Sequence, residues 1–199
     1  MAKVWQELPD IVTISFRQER EDKDYGSCLW ARFNFDKKNY SLSIESDCGS
    51  YSYGWCPTPD HETFLHLCSR FDEFYLLDKI SNRTVVNGDA TFKNLTETLK
   101  DYDDYGYEVL TAKQMQIIEE SCYGNRNDSD AFASITDAFD GTLLEGSLSE
   151  YDIACCIEMD YPRGAKKIVE VFRNYIQPEL RMLSGYKGAK MDGDGNENV

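Results

Sequence analysis

The sequence predicts an α+β protein, with an N-terminal antiparallel β-meander backed by a helix and then a mostly α-helical, acidic half. Three observations lead there. Apolar residues recur at every second position up to about residue 58 and at helical spacing beyond it. Turn-forming residues punctuate the first stretch. The chain has 199 residues, 41% of them hydrophobic and 13% aromatic, enough to bury a core. The expected organisation is a single domain over 1–183, with the sheet and its helices in 1–100 and helices in 101–183, acidic as far as 160. A polar, Gly-rich tail over 184–199 is expected to carry little fixed structure.

Each element has a local reason. Residues 11–16 alternate around Val12, Ile14 and Phe16, and residues 28–35 set Leu29, Ala31, Phe33 and Phe35 on one face. The turn Asp36-Lys37-Lys38-Asn39 leads into Tyr40, Leu42 and Ile44, and Tyr51, Tyr53 and Trp55 then alternate with Ser50, Ser52 and Gly54. A helix is predicted over 59–80: Thr58 as N-cap, Pro59 first, Asp60 and Glu62 in the first turn, then Phe64, Leu67, Cys68, Phe71, Phe74 and Tyr75. Phe92, Leu95 and Leu99 form the stripe of a helix over 90–100. Thr111 with Gln114 reads as a capping box, and Leu110 with Met115 as a hydrophobic staple. Asp128 or Ser129 opens a helix carrying Phe132, Ile135 and Phe139. Ser147 with Glu150 reads as a second capping box, ahead of Tyr151, Cys155 and Met159. The last helix is predicted over 164–183, kinked or broken at Pro178.

Composition excludes several function classes. A net charge of −15 argues against direct nucleic-acid binding through a basic patch and against docking on anionic membranes. No apolar run is long enough for a membrane span, and the N-terminus lacks a signal-peptide core, so a cytoplasmic location in a bacterial host cell is expected. Seven cysteines is an odd number for a disulfide framework, so reduced, mostly buried thiols are expected.

The charge is concentrated. Residues 101–160 hold 15 acidic and 2 basic side chains, against 16 and 12 in residues 1–100, and 5 and 7 in residues 161–199. Because this stretch also carries capping boxes and apolar stripes, its carboxylates should stand on folded helices. At 100° per residue, Asp130 and Asp137 fall opposite Phe132, Ile135 and Phe139, with Asp140 about a quarter-turn away. Rows of carboxylates on a rigid surface resemble nucleic-acid phosphates, spaced at about one charge per ~1.7 Å of duplex axis. The candidate partner-binding residues are Asp101, Asp103, Asp104, Glu108, Glu119, Glu120, Asp130, Asp137 and Asp140. The alternative for any one of them is simple solvation, which keeps acidic surfaces soluble.

Catalytic motifs are absent: there is no phosphate-binding glycine loop, dinucleotide fingerprint, HExxH, CxxC or nucleophile elbow. Cys48, Cys56, His61, His66 and Cys68 match no common zinc spacing, so no metal and no cofactor is expected. Tyr51, Tyr53 and Trp55 suit inward packing better than base stacking in so acidic a chain. The tail Asp192-Gly193-Asp194-Gly195-Asn196 starts like a calcium loop but lacks its glycine and its closing glutamate.

One segment resembles small proteins encoded in prophages and plasmids. It reads Ser43-Ile44-Glu45-Ser46-Asp47-Cys48-Gly49-Ser50-Tyr51-Ser52-Tyr53-Gly54-Trp55, followed by Phe64-Leu65 and then Phe71-Asp72-Glu73-Phe74-Tyr75-Leu76-Leu77-Asp78-Lys79-Ile80-Ser81. These correspond to an SDxGxYxYxW strand and a helix ending DxxYLxxKxS. The resemblance implies a mobile-element accessory protein, a setting in which small acidic proteins are often inhibitors of host defence, anti-CRISPR proteins included. Joined to the charge pattern, it gives the expectation of a non-enzymatic inhibitor of a bacterial defence nuclease. Its partner would be the basic surface of a CRISPR effector or another nucleic-acid-binding nuclease. The competing expectations are a non-catalytic phage adaptor that binds a protein through its sheet, and a small-molecule-processing anti-defence enzyme.

Overall fold

A computed structural model describes residues 10–22, 25–57, 63–102, 111–123, 127–140 and 148–184. The chain divides into two units: residues 81–163 form one, and the segments on either side of them form the other.

In the first unit, β1 (Ile11–Arg17), β2 (Trp30–Asp36), β3 (Ser41–Ser46) and β4 (Gly49–Gly54) make an antiparallel sheet in sequence order. The predicted meander is thus present, and its register puts Phe33 beside Ile44 and Phe35 beside Leu42 on one buried face. Leu29 does not join that face: β2 starts at Trp30, and both Leu29 and Trp30 are exposed. Against the buried face lie Phe64 and Phe172, with ring centroids 6.5 Å from Phe35 and 6.0 Å from Phe33.

The helix predicted over 59–80 is instead two. α1 (Phe64–Cys68) is capped by the Thr63 side chain, and α2 (Glu73–Ile80) follows a break at residues 69–72. Asp72 causes the restart, because its carboxylate accepts the Tyr75 N–H at 2.8 Å in the manner of an N-cap. The proposed cap at Thr58 and its first turn lie outside the described residues. So does the tail beyond residue 184.

α7 (Arg163–Val171), a π-helical turn (Phe172–Ile176) and α8 (Gln177–Leu183) follow one another without a break. Pro178 does not end this run, and the irregularity next to it is a π turn. Proline has no N–H and its ring presses on the carbonyl four residues back. The π turn just ahead of it, with the Gln177 N–H bonded to the Phe172 carbonyl, reroutes the backbone hydrogen bonds at that place.

The residues of the mobile-element resemblance are architectural. Ser46 Oγ donates to the Gly49 carbonyl at 2.7 Å and accepts from the Cys48 N–H at 3.1 Å. Asp47 accepts from the Leu29 and Trp30 N–H groups at 2.8 and 3.3 Å. Gly49 has φ +123°, which favours glycine, and any Cβ there would meet the Tyr51 hydroxyl at 2.8 Å. The strand and helix parts of the motif then interlock. Trp55 Nε1 donates to the Tyr75 hydroxyl at 2.8 Å, and the Lys79 ammonium lies over the rings of Tyr53 and Tyr75 at 5.5 and 5.4 Å. These aromatic residues pack inward, as their alternation predicted.

In the second unit, α3 (Gly88–Tyr102), α4 (Ala112–Tyr123), α5 (Asp128–Phe139) and α6 (Glu150–Cys156) enclose a core that includes Leu95, Leu99, Ile118, Ile135, Phe139 and Ile153. β5 (Val85–Val86) and β6 (Met159–Asp160) pair antiparallel and tie the two ends of the unit together. The Thr111–Gln114 capping box forms in both directions, at 3.3 and 2.9 Å; Leu110 of its proposed staple is outside the described residues. The second capping box is shifted by two residues from its predicted place. Ser149 and Asp152 make it, because aspartate at the third helical position reaches the cap N–H as glutamate does; Ser147 of the predicted Ser147–Glu150 pair lies outside the described residues.

Candidate functional site

The acidic residues singled out by sequence fall on the helices of the second unit. Asp101 is exposed at the end of α3, Glu119 and Glu120 are exposed near the end of α4, and Asp130, Asp137 and Asp140 are exposed on α5. Asp103, Asp104 and Glu108 lie outside the described residues. On α5 the division of faces is as the periodicity requires, with Ala131, Ile135 and Phe139 buried and the three aspartates in solvent. Short connections make consecutive helices of this kind antiparallel. This places Asp101 with Asp137 and Asp140 toward one end of the bundle, and Glu119 and Glu120 with Asp128 and Asp130 toward the other.

Where these carboxylates sit within their helices matters more than their number. A helix carries partial negative charge at its C-terminal end, so an acidic side chain there costs about 0.3–1 kcal/mol and a basic one stabilises. α4 and α5 have no basic residue in their last turns. Asp137 and Asp140 stand instead at the end of α5, where Asp140 is the C-cap, and Glu120 stands at the end of α4. The ion pairs of the unit lie elsewhere: Arg83 with Glu158 at 3.7 Å and Lys93 with Glu97 at 3.8 Å. Among the described residues, no cation lies within ion-pair distance of Asp101, Glu119, Asp137 or Asp140. Asp137 and Asp140 stand against the local helix field and face water, while Glu120 accepts from Gln116 Nε2 at 2.8 Å and Asp101 has Lys100 beside it in the last turn of α3.

A polar tie that sequence reasoning missed joins α4 to α3. The Tyr123 hydroxyl donates to the Asp89 carboxylate at 2.5 Å, and this hydrogen bond pushes the phenol up to about 12. The neutral phenol is the donating form. The contact therefore holds fully below the ordinary tyrosine value near ~10 and is lost as the pH rises through the folded value. Burial also raises Tyr51, and the Cys155 hydrogen bond raises Tyr151, so an ultraviolet titration should show a late-ionising group of phenols from which Tyr123→Phe removes one.

Among the described residues, Cys48, Cys56, His66 and Cys68 are not gathered into one ligand group: Cys68 is buried in α1 and Cys56 is exposed, while His61 is outside the described residues. The structure instead brings Cys28, Asp47 and Cys48 within 4.8 Å of one another. Existing hydrogen bonds already use these groups. Asp47 holds the start of β2, Cys48 Sγ donates to the Ser27 carbonyl at 3.3 Å, and Cys28 Sγ lies 3.6 Å from the Trp30 carbonyl. Burial, together with Cys48 and Asp47, raises the Cys28 thiol, and burial raises Cys122 to about 11. Since the thiolate is the reactive form, Cys56 and Cys155 should react quickly with a thiol reagent in the native protein. Cys28, Cys68, Cys122 and Cys156 should react only on unfolding. Mass mapping of the labelled peptides reads this directly.

The fold and this surface define a two-part α+β protein whose acidic charge is displayed on a small helical unit inserted into a sheet-and-helix frame. A model of the phage family Phage_phiTE_072 matches residues 11–182, nearly the whole described chain. The chain belongs to that phage family. No curated protein and no solved structure matches it. No helix among the described residues is long and apolar enough to cross a membrane.

Proposed function

We propose that this phage protein is a non-catalytic inhibitor of a bacterial defence nuclease, anti-CRISPR in type, that lays its acidic helical unit in a basic nucleic-acid channel. One observation carries the reading: Glu120, Asp137 and Asp140 are kept at helix ends where they oppose the macrodipole, with no basic residue in the last turns of α4 and α5. A protein gains from such placement when the cation is supplied by a partner. Effector channels that hold a guide–target heteroduplex are lined with positive charge and supply it. The test is capture from a bacterial host lysate on the immobilised protein. A nucleic-acid-binding protein should be retained at low salt, released as ionic strength rises past the point where charges are screened within ~8 Å, and displaced by added RNA or DNA. Retention that neither salt nor nucleic acid disturbs would reject the mimic.

A second reading has its own observation. On the first unit, a cleft of about 540 Å³ is lined by Phe16, Arg17, Tyr25, Leu29, Trp30 and Arg32 among others. Trp30 is 44% exposed and Tyr25 48%. Exposed aromatic and arginine side chains at the end of a sheet suit an adaptor that binds a protein. Trp30→Ala would abolish salt-insensitive capture and leave salt-sensitive capture intact.

A further inference from the structure

The first unit gathers a local cluster of arginines. A cleft of about 390 Å³ is lined by Arg70, Arg173 and Arg181, together with Phe71, Asp72, Glu73, Phe74 and Gln177; the Asp72 carboxylate is engaged as the cap of α2. These residues come from segments about a hundred positions apart in the chain, so no sequence motif announces them. Three features mark the cleft as a built site. The first is its floor. Gln177 is only 6% exposed; its Nε2 donates to the Phe71 carbonyl at 2.7 Å, and its Oε1 accepts from Arg181 at 3.1 Å. Arg181 Nε also donates to the Ser69 carbonyl at 3.3 Å, so this guanidinium is held in place before any ligand arrives, with donors to spare.

The second feature is the π turn. Side chains four apart run ahead of one full turn in an α-helix and fall behind it in the wider π turn. Arg173 and Gln177 span the π turn, and Gln177 and Arg181 span the α turn that follows. The two offsets cancel, and Arg173, Gln177 and Arg181 line up on one side. Single π turns recur at functional sites in helices.

The third is Phe74, 77% exposed on α2 and the most exposed large apolar side chain among the described residues. It has no ring partner there. Its immediate neighbour Tyr75 lies 5.0 Å from Phe71, and Phe71 stacks on Trp55. Packing therefore does not explain why position 74 is aromatic.

We propose that this cleft binds a phosphate monoester carried by a nucleobase: a nucleoside 5′-monophosphate or the 5′-phosphorylated end of a strand. Three guanidinium forks match a tetrahedral group of charge about −1.5 to −2. The Phe74 ring offers a face on which a base stacks. Glu73, which pairs with Arg173 at 2.6 Å, occupies part of the anion's place in the absence of ligand. This site does not depend on the acidic-surface reading.

Titration calorimetry on the full chain tests it with five probes: inorganic phosphate, AMP, adenosine, and a dinucleotide with and without its 5′-phosphate. AMP should bind saturably and more tightly than phosphate, and adenosine should not bind. Binding of the phosphorylated dinucleotide alongside AMP assigns the site to strand ends; AMP alone assigns it to free mononucleotides. Arg173 and Phe74 are exposed, so their variants keep the fold. Arg173→Gln should weaken AMP and phosphate alike, by about tenfold. Phe74→Ala should weaken AMP by about tenfold and leave phosphate unchanged. Glu73→Gln should tighten both, which loss of a merely structural pair would not do. The proposal is overturned if no phosphate-bearing probe gives saturable heat, if adenosine binds as well as AMP, or if Arg173→Gln leaves both affinities unchanged.

Discussion

Asp137→Lys with Asp140→Lys should make the protein more stable and a poorer binder at once. Both positions are exposed and lie at the C-terminal end of α5, so lysine there complements the helix field instead of opposing it. The gain should be about 0.3–1 kcal/mol for each change. Adding Asp130→Lys offsets part of that gain, because Asp130 sits in the favourable first turn and accepts from Asn127 Nδ2 at 2.7 Å. Association with a basic partner should fall by 10-fold or more at low salt, since steering by clustered charge is worth about 10–10³ in rate. In a CRISPR effector, the triple variant should also lose its competition with guide RNA or target DNA. Reversing the exposed Glu19, Glu21 and Glu179 of the first unit is the comparison; Asp47 and Asp72 are avoided because they hold the start of β2 and cap α2. Denaturant melts and stopped-flow association read the two quantities separately. Equal loss of association in both triples would defeat the phosphate-mimic reading and turn attention to Trp30.

Gly164→Ala should cost about 3 kcal/mol or more, the upper range for overpacking that requires backbone movement. A Cβ at this position would stand 2.3 Å from the Cys48 carbonyl oxygen and 3.0 Å from the Tyr51 hydroxyl. Neither can give way cheaply. The Tyr51 hydroxyl donates to that same carbonyl at 2.8 Å, and the β3–β4 turn is fixed by the Ser46 and Asp47 hydrogen bonds. Gly54→Ala is the control, since nothing lies within 4 Å of a Cβ there; it should stay within about 0.5 kcal/mol of the parent. A denaturant midpoint for Gly164→Ala equal to that of Gly54→Ala would show that the turn moves freely.

Which parts of this were legible in the sequence follows from the range of the interactions. The sheet was legible because Phe33, Phe35, Leu42 and Ile44 alternate over neighbouring strands, and the faces of α5 because Ile135 and Phe139 recur one turn apart. The Thr111–Gln114 box was legible for the same reason, being local. The break in the 59–80 helix was harder, because Phe71 and Tyr75 continue the helical spacing across it while Asp72 restarts the hydrogen bonding. Gly164 reads in sequence as an ordinary glycine; its constraint comes from Cys48, more than a hundred residues earlier. Arg70, Arg173 and Arg181 are likewise unremarkable until the fold gathers them. The acidic candidates lay in sequence as a count of charges. Their opposition to the helix dipoles became visible only once the ends of α4 and α5 were placed.

The insertion of residues 81–163 has a consequence for how the protein is made. Synthesis delivers the sheet first, with Phe33 still lacking its ring partner Phe172 from the far end of the chain. At about 5–20 residues per second, the ribosome takes roughly 4–17 s to traverse the insert before the late helices exist. The insert, with β5 and β6 tying its own two ends, is complete before the frame that carries it. Its closure brings the two frame-forming segments to a common point of departure, which shortens the loop the late helices must close against the waiting sheet. A premature stop just after residue 163 would therefore release a finished acidic bundle on an unfinished scaffold, with an open apolar sheet exposed to chaperones and proteases.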